Sequence, residues 1–227
     1  MHAACHLEER PLASGPRTVR STDPADLSRI YEPDVNLCII ERAPTPDVDA
    51  YVRSLLARAT PIEVVRTIRF ESFDGQDLLP ETLRDQTAAY ASWRRDVVRL
   101  TALFCDLFEA ESVGLRLRTL DKPMCPRFHT DFVPARLICA YGGPGTQWLP
   151  EEAVDRRRLG SRSGGLPDAE SGLIRRGDAV EEIPQYAIAL LKGERWEGNE
   201  GRGAVHRSPQ NAKGEPVPRL LLTLDLV

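Results

Sequence analysis

Residues 219–226 read Arg-Leu-Leu-Leu-Thr-Leu-Asp-Leu. On an extended chain side chains alternate between two faces. Leu220, Leu222, Leu224 and Leu226 therefore share one face, and Arg219, Leu221, Thr223 and Asp225 the other. An arginine pointing into a sheet opposite four leucines is costly unless it has a partner. That partner is either a buried Asp or Glu of the chain, or the carboxylate of a small-molecule acid held by the planar guanidinium fork.

The rest of the second half has the same texture. Leu115 to Leu120 alternates with period two, as a half-buried strand does. Strand-like segments follow at 127–132, 136–141 and 186–191, punctuated by Gly and Pro, with no strong helix between them. Many short strands with such turns indicate a sandwich or closed barrel of the cupin and jelly-roll class. The first half differs. Val35 to Ile40 and Ile62 to Phe73 read as strands. Thr45-Pro46-Asp47 reads as a helix start running to about Ala59. From Pro80 to about Glu111 the spacing of Trp93, Val97, Leu100, Phe104 and Leu107 predicts a helix with one buried stripe.

The expected fold is mainly β, α+β overall. A double-stranded β-helix or jelly-roll (cupin-like) core at 114–227 carries an N-terminal α/β layer at 27–113 in one domain. Residues 1–26 are expected to form a mobile tail, with His2 and His6 on it. Residues 151–182 read as a long polar insertion, a solvated loop and a candidate lid.

Composition narrows the function. With 41% hydrophobic and 28% charged residues the 227-residue chain should fold and dissolve. A net charge of −4 gives no general drive towards nucleic acid or anionic membrane. No apolar run approaches the ~20 residues of a membrane span, and the N-terminus lacks a secretory h-region. Five scattered cysteines without a C-x-x-C pair argue against a disulfide framework or zinc ribbon and for a reducing cytoplasm. The Gly142–Thr146 run lacks the Gly-Lys-Ser/Thr of a phosphate loop.

Only two histidines lie outside the N-terminal tail, His129 and His206. His129 and Asp131 are two apart, so on a strand both face one way and can reach one ion. His206 must be delivered by folding, which a barrel can do. Two imidazoles and one carboxylate suit Fe(II), and could also hold Mn, Co or Zn. Cys125 is either a further ligand, which would favour Zn, or a buried small hydrophobe. Tyr141 could hydrogen-bond a co-substrate carboxylate or simply pack. Arg127 and Arg136 could bind an acidic substrate or pair with local carboxylates.

His129-x-Asp131, the distal His206 and Arg219 thirteen positions later resemble the Fe(II)/2-oxoglutarate-dependent oxygenases of the double-stranded β-helix fold. The resemblance implies that His129, Asp131 and His206 bind iron and that Arg219 anchors the far carboxylate of 2-oxoglutarate. Many members carry Ser or Thr two residues after that Arg; here the position is Leu221, with Thr223 two further on. The chain also resembles a bacterial family known as domain of unknown function 1826, through segments including Asn36–Ile39, Cys125–Asp131, Gly143–Pro150, Leu191–Glu194 and Gly203–Pro209. The expected activity is hydroxylation of a small-molecule or protein substrate. Its rivals are a cupin-like protein that buffers or senses Zn, and a metal-dependent hydrolase or isomerase of cupin type.

Overall fold

A computed structural model describes residues 15–58, 60–85, 87–210 and 218–227. His2, Cys5 and His6 lie outside the described residues. Among the described residues ten strands form two sheets: β1 (Arg17–Ser21), β2 (Val35–Ile40), β3 (Glu63–Arg69), β4 (Ser112–Leu120), β5 (Ala135–Gly142), β6 (Gln147–Trp148), β7 (Glu181–Glu182), β8 (Ile188–Lys192), β9 (His206–Arg207) and β10 (Arg219–Leu226). The larger sheet has the order β1-β2-β8-β5-β10-β4-β3, antiparallel except for the parallel β1–β2 pair. The smaller has the order β7-β6-β9. The 127–131 segment joins the β9 edge through a bridge between His129 and His206.

Two helices cover one face of the large sheet. Thr45 caps α1 (Pro46–Ala57), its hydroxyl accepting from the Val48 amide, with Pro at the first position and Asp47 and Asp49 in the first turn. Each satisfies or complements the open amides of a helix start. Val48, Tyr51, Val52 and Leu55 form the buried stripe. α2 (Ala88–Phe108) buries Trp93, Val97, Leu100 and Phe104. It is shorter than the expected 80–111. Thr87 caps it at Tyr90, residues 81–83 form a separate 3₁₀ turn, and Glu109 ends it in the left-handed conformation.

The alternation of the strands divides the apolar residues into two cores. Leu220, Leu222 and Leu224 of β10 lie with Leu115 and Leu117 of β4, Leu137 and Tyr141 of β5 and the helix stripes. Leu37, Ile39, Ile138, Ala189 and Leu191 face the other way and meet Trp148, Ile183 and Ala204 on the small-sheet side. The two sheets thus close over a second core. The architecture is a double-stranded β-helix, or jelly roll, backed by two helices.

Three expectations are corrected. Residues 17–26 do not belong to a tail. β1 is the edge of the large sheet, and a 3₁₀ helix at Pro24–Tyr31 buries Leu27 and Ile30. Arg17 is held by Glu32 and Asp34, and Arg20 by Glu181. The N-terminal strands enter the same sheet as β4, β5, β8 and β10, so only the helices form a separate layer. The 151–182 insertion is no solvated loop. Its short turns and 3₁₀ segments bury Ala153, Val154, Leu173 and Ala179 in one cluster with Phe128 and Val205.

The two faces of β10 should differ in energetic weight. Leu222→Ala, in the fully buried helix-side core, should cost about 3 kcal/mol in chemical denaturation. Leu221→Ala, on the half-buried inner face, should cost less than half as much.

Candidate metal centre

His129 and His206 exchange both backbone hydrogen bonds, each N–H···O at 3.0 Å. Such a pair sets two side chains opposite one another on the same face. Their ring centroids lie 4.5 Å apart. Asp131, two residues on, points the same way. The donor atoms of His129, Asp131 and His206 all fall within 4.8 Å of one another.

Each ring is oriented from behind. His129 Nδ1 lies 3.0 Å from the Arg127 carbonyl and His206 Nδ1 3.0 Å from the Ala204 carbonyl. A carbonyl only accepts, so Nδ1 carries the proton and Nε2 presents its lone pair. Both Nε2 atoms face Asp131: His129 at 3.6 Å from Oδ1, His206 at 3.3 Å from Oδ2. Oδ1 is taken by Arg136 Nη1 at 2.8 Å. Oδ2 is buried with no hydrogen-bond partner among the described residues. Burial alone would raise the Asp131 carboxyl, but attraction to His129 and His206 whenever they are protonated, together with Arg136, holds it well below the usual carboxylate range. Burial pushes His129 down, and Asp131 more than reverses this, so its imidazole is raised. A buried carboxylate with one orphaned oxygen, facing two imidazole lone pairs, matches the donor set of a metal ion and is a poor arrangement without one.

Arg136 in turn is gripped by Asp225, Nε to Oδ1 at 2.6 Å and Nη2 to Oδ2 at 3.0 Å, and Arg116 meets the same carboxylate. On the outer side Phe128 and Val205 turn away from the histidines into the insertion. There the buried Asp168 accepts from the Phe128 amide at 2.9 Å and from Arg207 at 3.1 Å. Arg127 belongs to this outer layer, near Asp168 and donating to Ser163 at 2.7 Å. The insertion therefore backs the two histidine segments and does not cover the centre as a lid.

Arg219 is buried on the inner face. Nε donates to the Pro144 carbonyl at 2.7 Å and Nη2 to Thr146 Oγ1 at 3.2 Å. Both acceptors are neutral, and no carboxylate pairs with it among the described residues. Burial pushes its pKa down to about 10, with Glu182 opposing. Thr146 stands two residues before Trp148, which pairs in register with His206. That places Arg219 about one pleat repeat from the cluster. Gly143 makes this contact possible. Its φ of 77° is open to glycine, and a Cβ there would meet the Pro218 carbonyl at 2.4 Å.

Two candidates do not join. Tyr141 faces the helices, its hydroxyl donating to Asp96 at 2.7 Å beside Trp93. It is not a co-substrate contact. β5 carries Arg136 and Ile138 on its inner face, and the odd positions Leu137, Cys139 and Tyr141 face out by the same period. Cys125 is not in the donor cluster; its backbone pairs with Ser208. Thr223 lies on the inner face with Arg219, two pleat repeats along. Thr146, Asp168, Asp225 and the Trp148 indole N–H, which has no acceptor among the described residues, were not singled out from sequence. The one signal for Thr146 and Trp148 was the Gly143–Pro150 segment.

Gly193 brings the end of β8 against the Asp131 segment. A Cβ would lie 2.1 Å from the Val133 carbonyl and 2.8 Å from that of Asp131. Gly193→Ala should cost about 2 kcal/mol on unfolding, and by moving Asp131 should weaken, about tenfold, whatever divalent-metal affinity a titration of the cluster finds.

No curated protein matches this sequence. Among solved structures, dioxygenase for auxin oxidation 1 from Arabidopsis thaliana, in complex with 2-oxoglutarate, is similar in fold: TM-score 0.51 at 11% identity over 94% of this chain and 92% of that one. A putative oxygenase of Shewanella oneidensis gives 0.49 at 12% identity over 94% and 90%. A putative 2OG-Fe(II) oxygenase family protein of Caulobacter crescentus gives 0.47 at 13% over 94% and 86%. Residues 21–225 match the model of a family described as protein of unknown function, DUF1826, and the chain belongs to that family.

Proposed function

We propose that this chain is an Fe(II)/2-oxoglutarate-dependent oxygenase that hydroxylates a C–H bond of its substrate. The observation that carries the reading is the His129–Asp131–His206 cluster with its orphaned Asp131 Oδ2, in a barrel that also buries Arg219 without an acidic partner among the described residues. Two imidazoles and one carboxylate on one side suit Fe(II) and leave the other positions open. His129, Asp131 and His206 would hold the metal, and Arg219 the far carboxylate of 2-oxoglutarate. Together the bound metal and co-substrate would supply oxidising power from O2.

The protein's own part is positioning. The Arg127 and Ala204 carbonyls fix both imidazole tautomers before any ligand arrives. Arg136 occupies Asp131 Oδ1 and leaves Oδ2 for the cluster. Pro144 and Thr146 hold the Arg219 guanidinium in place, so little ordering is lost on pairing with an acid. Low dielectric around Arg219 strengthens that pairing. Thr223 adds a hydroxyl to the same inner face. The Zn-binding alternative drew on Cys125 as an extra ligand, and Cys125 stands outside the cluster.

Anaerobic addition of Fe(II) and then 2-oxoglutarate should produce the visible charge-transfer band of the chelate. Asp131→Ala and His206→Ala should abolish it. Arg219→Ala should retain Fe(II) and weaken 2-oxoglutarate about 100-fold, the loss of a buried charge-assisted pair. Arg219→Lys should fall between. Tight Zn binding with no response to 2-oxoglutarate would favour a metal-binding module instead. Fe(II) affinity should rise with pH through the imidazole range and then level off. His129, raised above its ordinary 6.5, must give up its proton while Asp131 is already ionised.

A further inference from the structure

The inner face of the large sheet is covered over only part of its width. On β2, β8 and β5 the inward residues Leu37, Ile39, Ala189, Leu191 and Ile138 are buried in the core beneath the small sheet. Across β10, β4 and β3 the same rows continue as Thr223–Arg116–Val65 and Leu221–Arg118–Glu63. Here the cover ends: Val65 is 55% exposed and Met124, beside Arg118, 52%. This open floor adjoins the metal centre through a continuous chain of contacts, Asp131 to Arg136 to Asp225 to Arg116.

Its charges are not alike. Arg116 is matched by the buried Asp225. Arg118 Nε is buried with no acceptor among the described residues, and Nη1 meets only the Met124 sulfur at 3.3 Å. Its carboxylate neighbour among the described residues, Glu63 at 3.1 Å from Nη2, has a side chain 73% exposed. An exposed pair of that kind contributes little. A guanidinium partly starved of acceptors, set among Val65, Leu221 and Met124, is complementary to a molecule with an anionic end and an apolar body.

We infer that the substrate of this site is an amphipathic organic acid, its anionic group received by Arg118 and its apolar body lying over Val65, Leu221 and Met124 towards the metal centre. The backbone positions of Arg118 and Arg136 are two strands apart and about two pleat repeats apart along the sheet, roughly 15 Å. The acid and the reacting carbon must therefore be separated by an extended chain or a ring. The inference rests on the oxygenase reading for what happens at the metal, but not for the acid site itself.

The test is calorimetry on the full chain with octanoate as probe and octan-1-ol as its neutral control. It is run anaerobically at low ionic strength, with and without Fe(II) and saturating 2-oxoglutarate. Octanoate should bind at least tenfold more tightly than octan-1-ol under both conditions. Arg118→Gln should remove that preference while leaving octan-1-ol affinity unchanged, and Arg118→Lys should retain part of it. If Arg118→Gln does not fold, Val65→Glu at its exposed position serves instead and should weaken octanoate about tenfold. No preference for octanoate, a preference that survives these variants, or displacement of octanoate by 2-oxoglutarate, which would place the acid at Arg219, each overturns the inference. A preference lost in Arg118→Gln without any charge-transfer band in the wild type would sustain the acid site and count against the oxygenase reading alone.

Discussion

The structure depends on how Arg136 is shared between two buried acids. It donates to Asp225 through Nε and Nη2 and to Asp131 through Nη1. A buried carboxylate is tolerated only when paired and hydrogen-bonded. Asp225 sits at the end of the strand whose other face is all leucine, so its position is fixed by the helix-side core. Through Arg136 that fixed point governs where Asp131 can stand. Asp131 then has one oxygen committed and one free, which is what a single-oxygen metal ligand requires. Removing Arg136 would leave Asp131 without its cation and Asp225 with Arg116 alone, and the penalty would fall on both the fold and the centre.

The histidines are held by a different device. Their mutual backbone bonds and the carbonyls behind each Nδ1 fix them locally. Local bonds do not stop the two short segments from moving as a unit. The insertion supplies that restraint from outside, through Phe128 and Val205 in its small core and through Asp168. Arg207, stacked 4.1 Å above the Phe128 ring, links the residue after one histidine to the residue before the other. A centre built on segments too short to be stable strands is thus made rigid by a layer of its own.

Much of this was legible in the sequence. β2, the start of α1 and both faces of β10 follow from patterns long enough to show a period. The His-x-Asp spacing and the distal histidine located the cluster. What escaped notice did so for identifiable reasons. β1 has one fully buried apolar side chain, Val19, and is held by ion pairs, so it has no hydrophobic signature. β6, β7 and β9 have two residues each, too few for any period. The insertion looked solvated because its acids and bases are many. Several of them pair internally, as Arg156 does with Glu151 and Arg157 with Asp155, which leaves scattered apolar residues free to form a core. For Tyr141 the sequence left a ligand contact and packing open, and its place in the alternation of β5 sets it in the helix-side core, where it packs.

Two of the inner-face arginines differ in how their charge is matched. Arg136 and Arg219 are both largely buried. Arg136 is surrounded by carboxylates that more than offset the cost of burial, so its pKa is raised. Arg219 has a carbonyl, a hydroxyl and only a distant Glu182, and burial pushes it down to about 10. That value still lies well above neutrality, so the side chain remains a cation at pH 7. A structural arginine gains nothing from neutral acceptors that a smaller polar group could not provide. A charge kept in a buried position with neutral partners is stabilised when an anion arrives, and that gain is available only to the bound state. Arg136 has its charge matched within the fold; the Arg219 charge has no carboxylate partner among the described residues.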